Sequence, residues 1–378
     1  MGSMKDYLDW RGDIEFTQLG LTAVDSLIFA TLCYIHLNNI MPDDVESKRL
    51  ITNVCKEYKA LPKEEKGLVR KKTDVDLMEA LCKTRRFKKT QLMAHVEEIN
   101  LEDESQFAAI TYLLEDGSVH VTFRGTDNTV PGWKEDFNMS FMEEVPGQGK
   151  AVKYLQHIAA ITSGPIYIGG HSKGGNFSVY AATKCDKSVQ ARIKAVYSFD
   201  GPGFMTNIYE TPEYKRVEKK VHSYIPDSSF VGMFLNHIDK NKIVKSNNPS
   251  SGVLQHDPYS WEIMGGGFVA AKKLANSSYL TSSSMQVILS ELTPEERKLL
   301  SDHLFNTFNG GDVKYLSDIF KPSNIVASIK GMQGVPKERQ QIIKEARAKL
   351  MTALYENYKY NYKENIKDKT REIGFKDK

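Results

Sequence analysis

The stretch that decides the reading is Pro165-Ile-Tyr-Ile-Gly-Gly-His-Ser-Lys-Gly-Gly175, followed by Asn176-Phe-Ser-Val-Tyr-Ala181. The apolar run from Pro165 to Ile168 reads as a short strand. Phe177, Tyr180 and Ala181 then recur at helical spacing. Between them, Gly170-His171-Ser172-Lys173-Gly174 fits G-x-S-x-G, which lifts a serine onto a sharp strand-to-helix turn. A serine in such a turn sits in a strained backbone conformation. Side chains at the flanking positions would collide with the neighbouring strand and helix, so glycine stands at Gly170 and Gly174. The N-terminus of the following helix stabilises negative charge next to Ser172 Oγ. A Walker-type phosphate loop requires Gly-Lys-Ser/Thr, whereas the order here is Ser172-Lys173-Gly174.

Working outward, Ala108–Leu114 and Val119–Phe123 are β-rich runs joined by Asp116-Gly117, a hairpin signal. A helix is expected from Gly149 to Ile161, and further strands at Ala195–Phe199 and Lys220–Ile225. Strands alternating with helices predict a mostly parallel sheet with right-handed crossovers. With the serine elbow, this is an α/β class reading: an α/β-hydrolase fold with a helical N-terminal segment and a helical C-terminal extension. Three zones are expected: residues 1–104 as helices packing on the core, 105–268 as the catalytic core, and 269–378 as a helical extension and candidate cap. Lys83, Arg85, Arg86, Lys88 and Lys89 read as a solvated helix face. Thr293-Pro294-Glu295-Glu296 reads as a helix start, and the lysine-rich tail after Tyr358 as a solvated end.

Composition narrows the function classes. Of 378 residues, 40% are hydrophobic and 26% charged, which excludes a mostly disordered chain. The 51 basic and 48 acidic residues leave a formal charge of +3, so no global electrostatic case for nucleic acid exists. The run from Ala23 to Leu37 contains Asp25 and is too short to span a bilayer. Thr22-x-x-Asp25 resembles a capping box, so a buried helix is expected there. Contact with a membrane is therefore expected to be transient and at its surface. Cys33, Cys55, Cys82 and Cys185 form no C-x-x-C, and they read as reduced thiols of a cytoplasmic protein. The sequence carries no reading of oligomeric state.

A serine hydroxyl needs a base, and the base needs an orienting carboxylate. In this fold the chain order is serine, acid, histidine. The downstream histidines are His222, His237, His256 and His303. His222 falls in a strand pattern and His303 in the Thr293-capped helix. His256 lies in a loop after the strand candidate at Ile243–Lys245 and is the preferred base, with His237 as the alternative. Asp227 directly follows Lys220–Ile225 and is the preferred acid. Asp200 follows the preceding strand, one strand too early for the common arrangement, and is the alternative. The oxyanion donors are expected from the Lys173 N–H and from Thr126, in Phe123-Arg-Gly-Thr-Asp127. No metal or organic cofactor is needed for this chemistry.

Val121-Thr-Phe-Arg-Gly-Thr126, Gly132-Trp-Lys-Glu-Asp-Phe137 and Gly170-His-Ser-Lys-Gly-Gly175 resemble the class 3, fungal-type lipase pattern. Asp6-Tyr-Leu-Asp-Trp-Arg-Gly-Asp13, the lysine after Ser172, and His256-Asp-Pro-Tyr-Ser-Trp261 resemble more closely its bacterial, Mbeg1-like branch. The resemblance extends over about residues 5 to 268. It implies Ser172 as nucleophile, Asp227 as acid, His256 as base, and Thr126 and Lys173 as oxyanion donors. It also implies a lid between Asn128 and Pro146, where Trp133, Phe137 and Phe141 would cover or line an acyl pocket. Ordinary packing on the sheet is the other reading of that segment. Lys173 replaces the usual leucine, and its cation would either favour an anionic substrate or point to solvent. The implied activity is hydrolysis of carboxylic esters with an acyl or lipid-like moiety, through an acyl-enzyme. An acyltransferase or amidase using the same triad is one alternative. A non-catalytic binding protein of the same fold is the other.

Overall fold

The serine elbow closes the fifth of eight strands in one sheet. The structure, a computed structural model, describes residues 2–305 apart from 68–69, 128, 238–239, 249–251 and 275–291, together with residues 340, 341, 344, 348 and 352. The strands are β1 (Arg49–Leu50), β2 (Gln91–Asn100), β3 (Ser105–Leu113), β4 (Val119–Phe123), β5 (Ile166–His171), β6 (Ile193–Phe199), β7 (Val221–Pro226) and β8 (Lys242–Val244). They lie side by side in chain order. β1 to β4 pair antiparallel, and β4 to β8 pair parallel. Gly117, at φ +80°, turns the expected hairpin between β3 and β4. A separate two-stranded ribbon pairs β9 (Ile263–Met264) with β10 (Gly267–Phe268).

Helices cover both faces. α1 (Met4–Arg11), α2 (Ala23–Leu32), α3 (Ile51–Ala60) and α4 (Lys72–Cys82) precede the hairpin. α5 (Val130–Asn138) and α6 (Pro146–Ile161) lie between β4 and β5. α7 (Lys173–Lys184) and α8 (Lys187–Arg192) follow β5, and α9 (Pro212–Val217) follows β6. On one face, Leu155, Ile158, Phe177 and Ala181 pack on Val121, Phe123, Ile168 and Val196. On the other, Val24, Leu27, Ile28 and Phe29 pack on Ile110, Tyr112, Ala195 and Phe199. Phe29 stacks on Tyr112 with ring centres 4.1 Å apart. Both faces are apolar because parallel strands are sandwiched between helix layers. The result is a mostly parallel sheet in an α/β-hydrolase arrangement, as the elbow and the strand–helix alternation predict.

Three differences from the sequence reading have physical causes. First, the N-terminal zone holds strands as well as helices. β2 carries a bulge between Met93 and Val96, with Ala94 at φ 51°, and this breaks the two-residue alternation that marks a strand. Second, Arg86 is not on a solvated face. Helix α4 ends at Cys82, so the basic run is not one helix surface. Arg86 is fully buried against Asp25, at 2.5 Å, and also donates to the carbonyls of Ile14, Leu19 and Gly20. Asp25 therefore serves two functions, because it also completes the expected capping box with Thr22. Third, the described part of the C-terminal zone includes one helix, α10 (Pro294–Phe305), docked on α5. The lysine-rich tail and most of the expected cap lie outside the described residues. Among the described residues no helix is long and apolar enough to cross a membrane.

Candidate active site

The elbow forms because backbones meet there without side chains. A Cβ on Gly170 would lie 2.3 Å from the Gly174 carbonyl, and one on Gly174 would lie 2.1 Å from the Phe123 oxygen. Glycine at both places lets β4, β5 and α7 touch main chain to main chain. Ser172 is left at φ 59°, ψ −133°, a conformation that costs a non-glycine residue of order 1–3 kcal/mol. Its N–H donates to the Phe199 oxygen at 2.9 Å, which ties the elbow to the end of β6. Among the described residues Ser172 Oγ makes no hydrogen bond, so the hydroxyl is presented at the strand ends.

His256 lies in a short 3-10 turn, Gly252–His256. Its ring is tilted 35° over the His171 ring, with centres 4.4 Å apart, so it sits beside the residue preceding Ser172. Its Nδ1 is 2.7 Å from Asp200 Oδ2. A carboxylate only accepts, so Nδ1 carries a proton and the ring's other nitrogen, Nε2, is turned away from Asp200. Asp200 is fully buried and held in one orientation. Its Oδ1 accepts from Ser229 Oγ at 2.5 Å and from the Gly232 N–H at 3.0 Å.

The carboxylate paired with His256 is thus Asp200, and the preference for Asp227 is corrected. Both aspartates follow a strand directly, but β6 adjoins β5 and β7 lies one strand farther out. Adjacent strands are about 4.8 Å apart, so the end of β6 is the nearer support for a ring beside Ser172. Asp200 also has φ 50°, a left-handed conformation that aspartate tolerates better than most residues. Asp227 instead continues toward the sheet edge, its N–H donating to the Val244 oxygen at 3.0 Å. His237 lies elsewhere, with Nδ1 against the Leu235 carbonyl at 3.2 Å. His222 stands on β7 near Lys242.

The segments of the two expected oxyanion donors both lie against Ser172. Lys173 is the first residue of α7, so its N–H has no intrahelical acceptor. Gly125 brings the other loop against the nucleophile, since a Cβ there would come within 3.0 Å of Ser172 Cβ and 2.1 Å of the Tyr34 hydroxyl. The next residue, Thr126, donates its hydroxyl to Asp136. Burial pushes the Asp136 carboxyl up to about 6, even though the Lys173 cation and the Thr126 hydrogen bond pull it down.

The Lys173 side chain takes neither expected direction. It is fully buried, with Nζ 2.8 Å from Glu135 Oε2 and 3.1 Å from the Gln106 oxygen. It faces neither solvent nor a substrate. Glu135 also accepts from the N–H groups of Gly147, at 2.8 Å, and Gln106, at 3.2 Å. Adjacent carboxylates on α5 therefore hold both expected oxyanion segments, Glu135 through Lys173 and Asp136 through Thr126. The sequence reading missed this pair. Its trace in the sequence was two consecutive acids, Glu135 and Asp136, in the short helix right after the expected oxyanion loop.

The expected lid segment contains α5. Phe137 is buried, while Trp133 and Phe141 are half-buried. Its outer side meets α10, where Ser301 Oγ donates to Asn138 Oδ1 at 2.9 Å. Lys134 reaches Glu104 at 2.6 Å and Asp302 at 3.1 Å. These contacts and the Glu135–Lys173 pair fasten α5 on both sides.

Comparison with solved structures gives distant resemblances. The M37 lipase is 15% identical, with 56% of this chain and 68% of that one covered, at a TM-score of 0.35. A point mutant of MDLA from Penicillium cyclopium is 11% identical, covering 67% and 87%, at 0.38. The Rhizomucor miehei lipase in its native propeptide complex is 12% identical, covering 59% and 86%, at 0.33. A search of curated proteins returns no match. The Mbeg1-like family model matches residues 81–306. That match runs from the end of α4 through α10 and takes in every residue of the elbow, the His256–Asp200 pair and the oxyanion loop, so the chain belongs to the Mbeg1-like family.

Proposed function

We propose that this protein is a serine hydrolase that cleaves carboxylic esters through Ser172, His256 and Asp200. The observation that carries the reading is the hydrogen bond from the buried Asp200 to His256, beside a serine held at a strained elbow. Asp200 fixes the tautomer of His256 and stabilises its charged form. His256 Nε2 takes the Ser172 hydroxyl proton as Oγ attacks the ester carbonyl. The carbonyl oxygen becomes an oxyanion, received by the N–H groups of Lys173 and Thr126. His256 returns the proton to the leaving alcohol, and an acyl-Ser172 ester remains. Water, deprotonated by His256, then releases the acid and restores the serine. Asp136 acts on Thr126, keeping its hydroxyl and backbone in one orientation. Removing one oxyanion donor would cost about 2.7–4 kcal/mol of transition-state stabilisation.

The substrate class follows from the surroundings. The Lys173 cation next to the nucleophile is paired with Glu135, so no charge from Lys173 selects an anionic substrate. Trp133, Phe137 and Phe141 supply apolar surface after the oxyanion loop, which favours an acyl or lipid-like ester. The deciding experiment is covalent labelling with a fluorophosphonate probe, alongside a chain-length series of p-nitrophenyl esters. Wild type should label and hydrolyse, and Ser172→Ala should do neither. Equal labelling of both, or of neither, would refute the assignment. Alcohol release that speeds up with added acceptor alcohol or amine would instead identify acyl transfer.

A further inference from the structure

We infer that the segment Arg70–Asp74, at the start of α4, is a positioning device for His256, clasping the catalytic-histidine loop from outside the sheet. The inference rests on the proposed role of His256 as base. The loop His256-Asp257-Pro258-Tyr259 is gripped on the residues that follow His256 and on its own carbonyl. Lys71 Nζ lies 2.6 Å from Asp257 Oδ2, the carboxylate next to the base. Tyr259 donates its hydroxyl to Asp74 Oδ1 at 2.9 Å. Asp74 is itself held by a bidentate Arg70, with Nε at 3.0 Å and Nη2 at 2.8 Å. The Arg70 guanidinium lies over the Tyr34 ring, 3.9 Å from its centre.

The circuit then returns to the base. The Tyr34 hydroxyl meets His171 Nδ1 at 3.0 Å, and His171 Nε2 meets the His256 carbonyl oxygen at 2.7 Å. A carbonyl only accepts, so Nε2 of His171 carries the proton and Nδ1 accepts from Tyr34. Burial holds the His171 imidazole well below its ordinary titration range, so this neutral tautomer persists. The path His256–His171–Tyr34–Arg70–Asp74–Tyr259 closes on itself, and Lys71–Asp257 bridges it. Three of its members, Tyr34, Arg70 and Asp74, and the bridging Lys71 come from the N-terminal segment.

Two further features separate this arrangement from an ordinary surface contact. Asp74 is almost wholly buried, and the Lys71 and Asp257 side chains are each only 11% exposed, so the pair escapes most solvent screening. Burial alone would raise the Asp257 carboxyl, yet the Lys71 ammonium keeps it below its usual range, so the carboxylate is ionised at neutral pH. A short 3-10 loop has little rigidity of its own. The Nε2 of His256 must nevertheless stay aimed at the serine, and misplacement by about 1 Å can cost a hundredfold in rate.

The test compares wild type with Lys71→Met, Lys71→Arg and Tyr259→Phe. The readouts are kcat and KM on a p-nitrophenyl ester, and the far-downfield proton resonance of His256 Nδ1–H. That resonance is identified by its loss in His256→Ala and Asp200→Asn. Lys71→Met and Tyr259→Phe should lower kcat roughly tenfold or more at nearly unchanged KM, and broaden or shift the resonance. Lys71→Arg should restore both. Wild-type kcat and an unchanged resonance in a folded Lys71→Met would overturn the inference. If Lys71→Met does not fold, Tyr259→Phe, which deletes a single hydroxyl, decides in the same way. If wild type cleaves no ester and takes no probe, the proposed function fails. The resonance, which needs no substrate, then still decides whether Lys71 and Tyr259 position His256.

Discussion

Asparagine at position 200 would separate charge from shape at the contact that orients His256. Asp200→Asn keeps the size of the side chain but removes the charge and permits the wrong tautomer. The expected loss in kcat is roughly 10⁴-fold, by analogy with triads in general. Asp227→Asn should leave kcat close to wild type, and steady-state kinetics of the two variants side by side checks the assignment. The sequence ranked Asp227 first by the common strand arrangement, because both aspartates directly follow a strand and nothing local tells which strand end lies beside His256. A second prediction concerns Asp136. Its folded value of about 6 lies above the ordinary 3.8, so the folded state holds this proton more tightly than the unfolded chain does. Its contribution to stability is present below pH 4 and is lost as pH rises through about 6. Asp136→Asn cannot ionise, so its urea midpoint relative to wild type should rise between pH 4 and pH 7. A constant difference across that range would count against a buried, titrating Asp136.

At the scale of elements, α5 is the helix whose role local pattern could not reveal. The resemblance to class 3 lipases, together with the apolar residues Trp133, Phe137 and Phe141, pointed to a cover for the pocket. Glu135 meets Lys173 only when β3, α5, α6 and α7 are assembled, and no local signal marks a pairing across 38 residues. Lys173→Met should cost about 3–5 kcal/mol, because it leaves Glu135 buried without its cation. The double variant Lys173→Met/Glu135→Gln should recover most of that loss. Urea unfolding of the two variants measures the difference, and equal destabilisation would argue against an ion pair. The elbow was legible for the opposite reason. Its conformation comes from five consecutive residues and from clashes that only glycine avoids. Strand β2 was missed because its bulge and its inward Glu97 disrupt the pattern that marks strands. Glu97 is nonetheless paired there with Arg124, at 2.9 Å, and with His36.

For the whole molecule, the N-terminal segment is the second face of the fold. α2 covers Ile110, Tyr112 and Phe199, and Arg70–Asp74 reaches the histidine loop. Leu27→Ala should therefore destabilise the protein by about 2–5 kcal/mol, measured by thermal or urea unfolding. A fragment of residues 105–305 would expose that apolar sheet face and should aggregate, as judged by gel filtration and circular dichroism. A soluble fragment with cooperative unfolding would make the N-terminal segment a separate unit. The sequence by itself determined the strand–turn–helix at Ser172, the strand alternation and the tight turn after β4 at Gly125, because each follows from backbone sterics or side-chain periodicity over a few residues. Only the tertiary structure decided which carboxylate meets His256, where the Lys173 cation goes and what holds the histidine loop. Those are contacts between segments far apart in the chain, and their outcome depends on which strand ends are neighbours and how deeply each charge is buried.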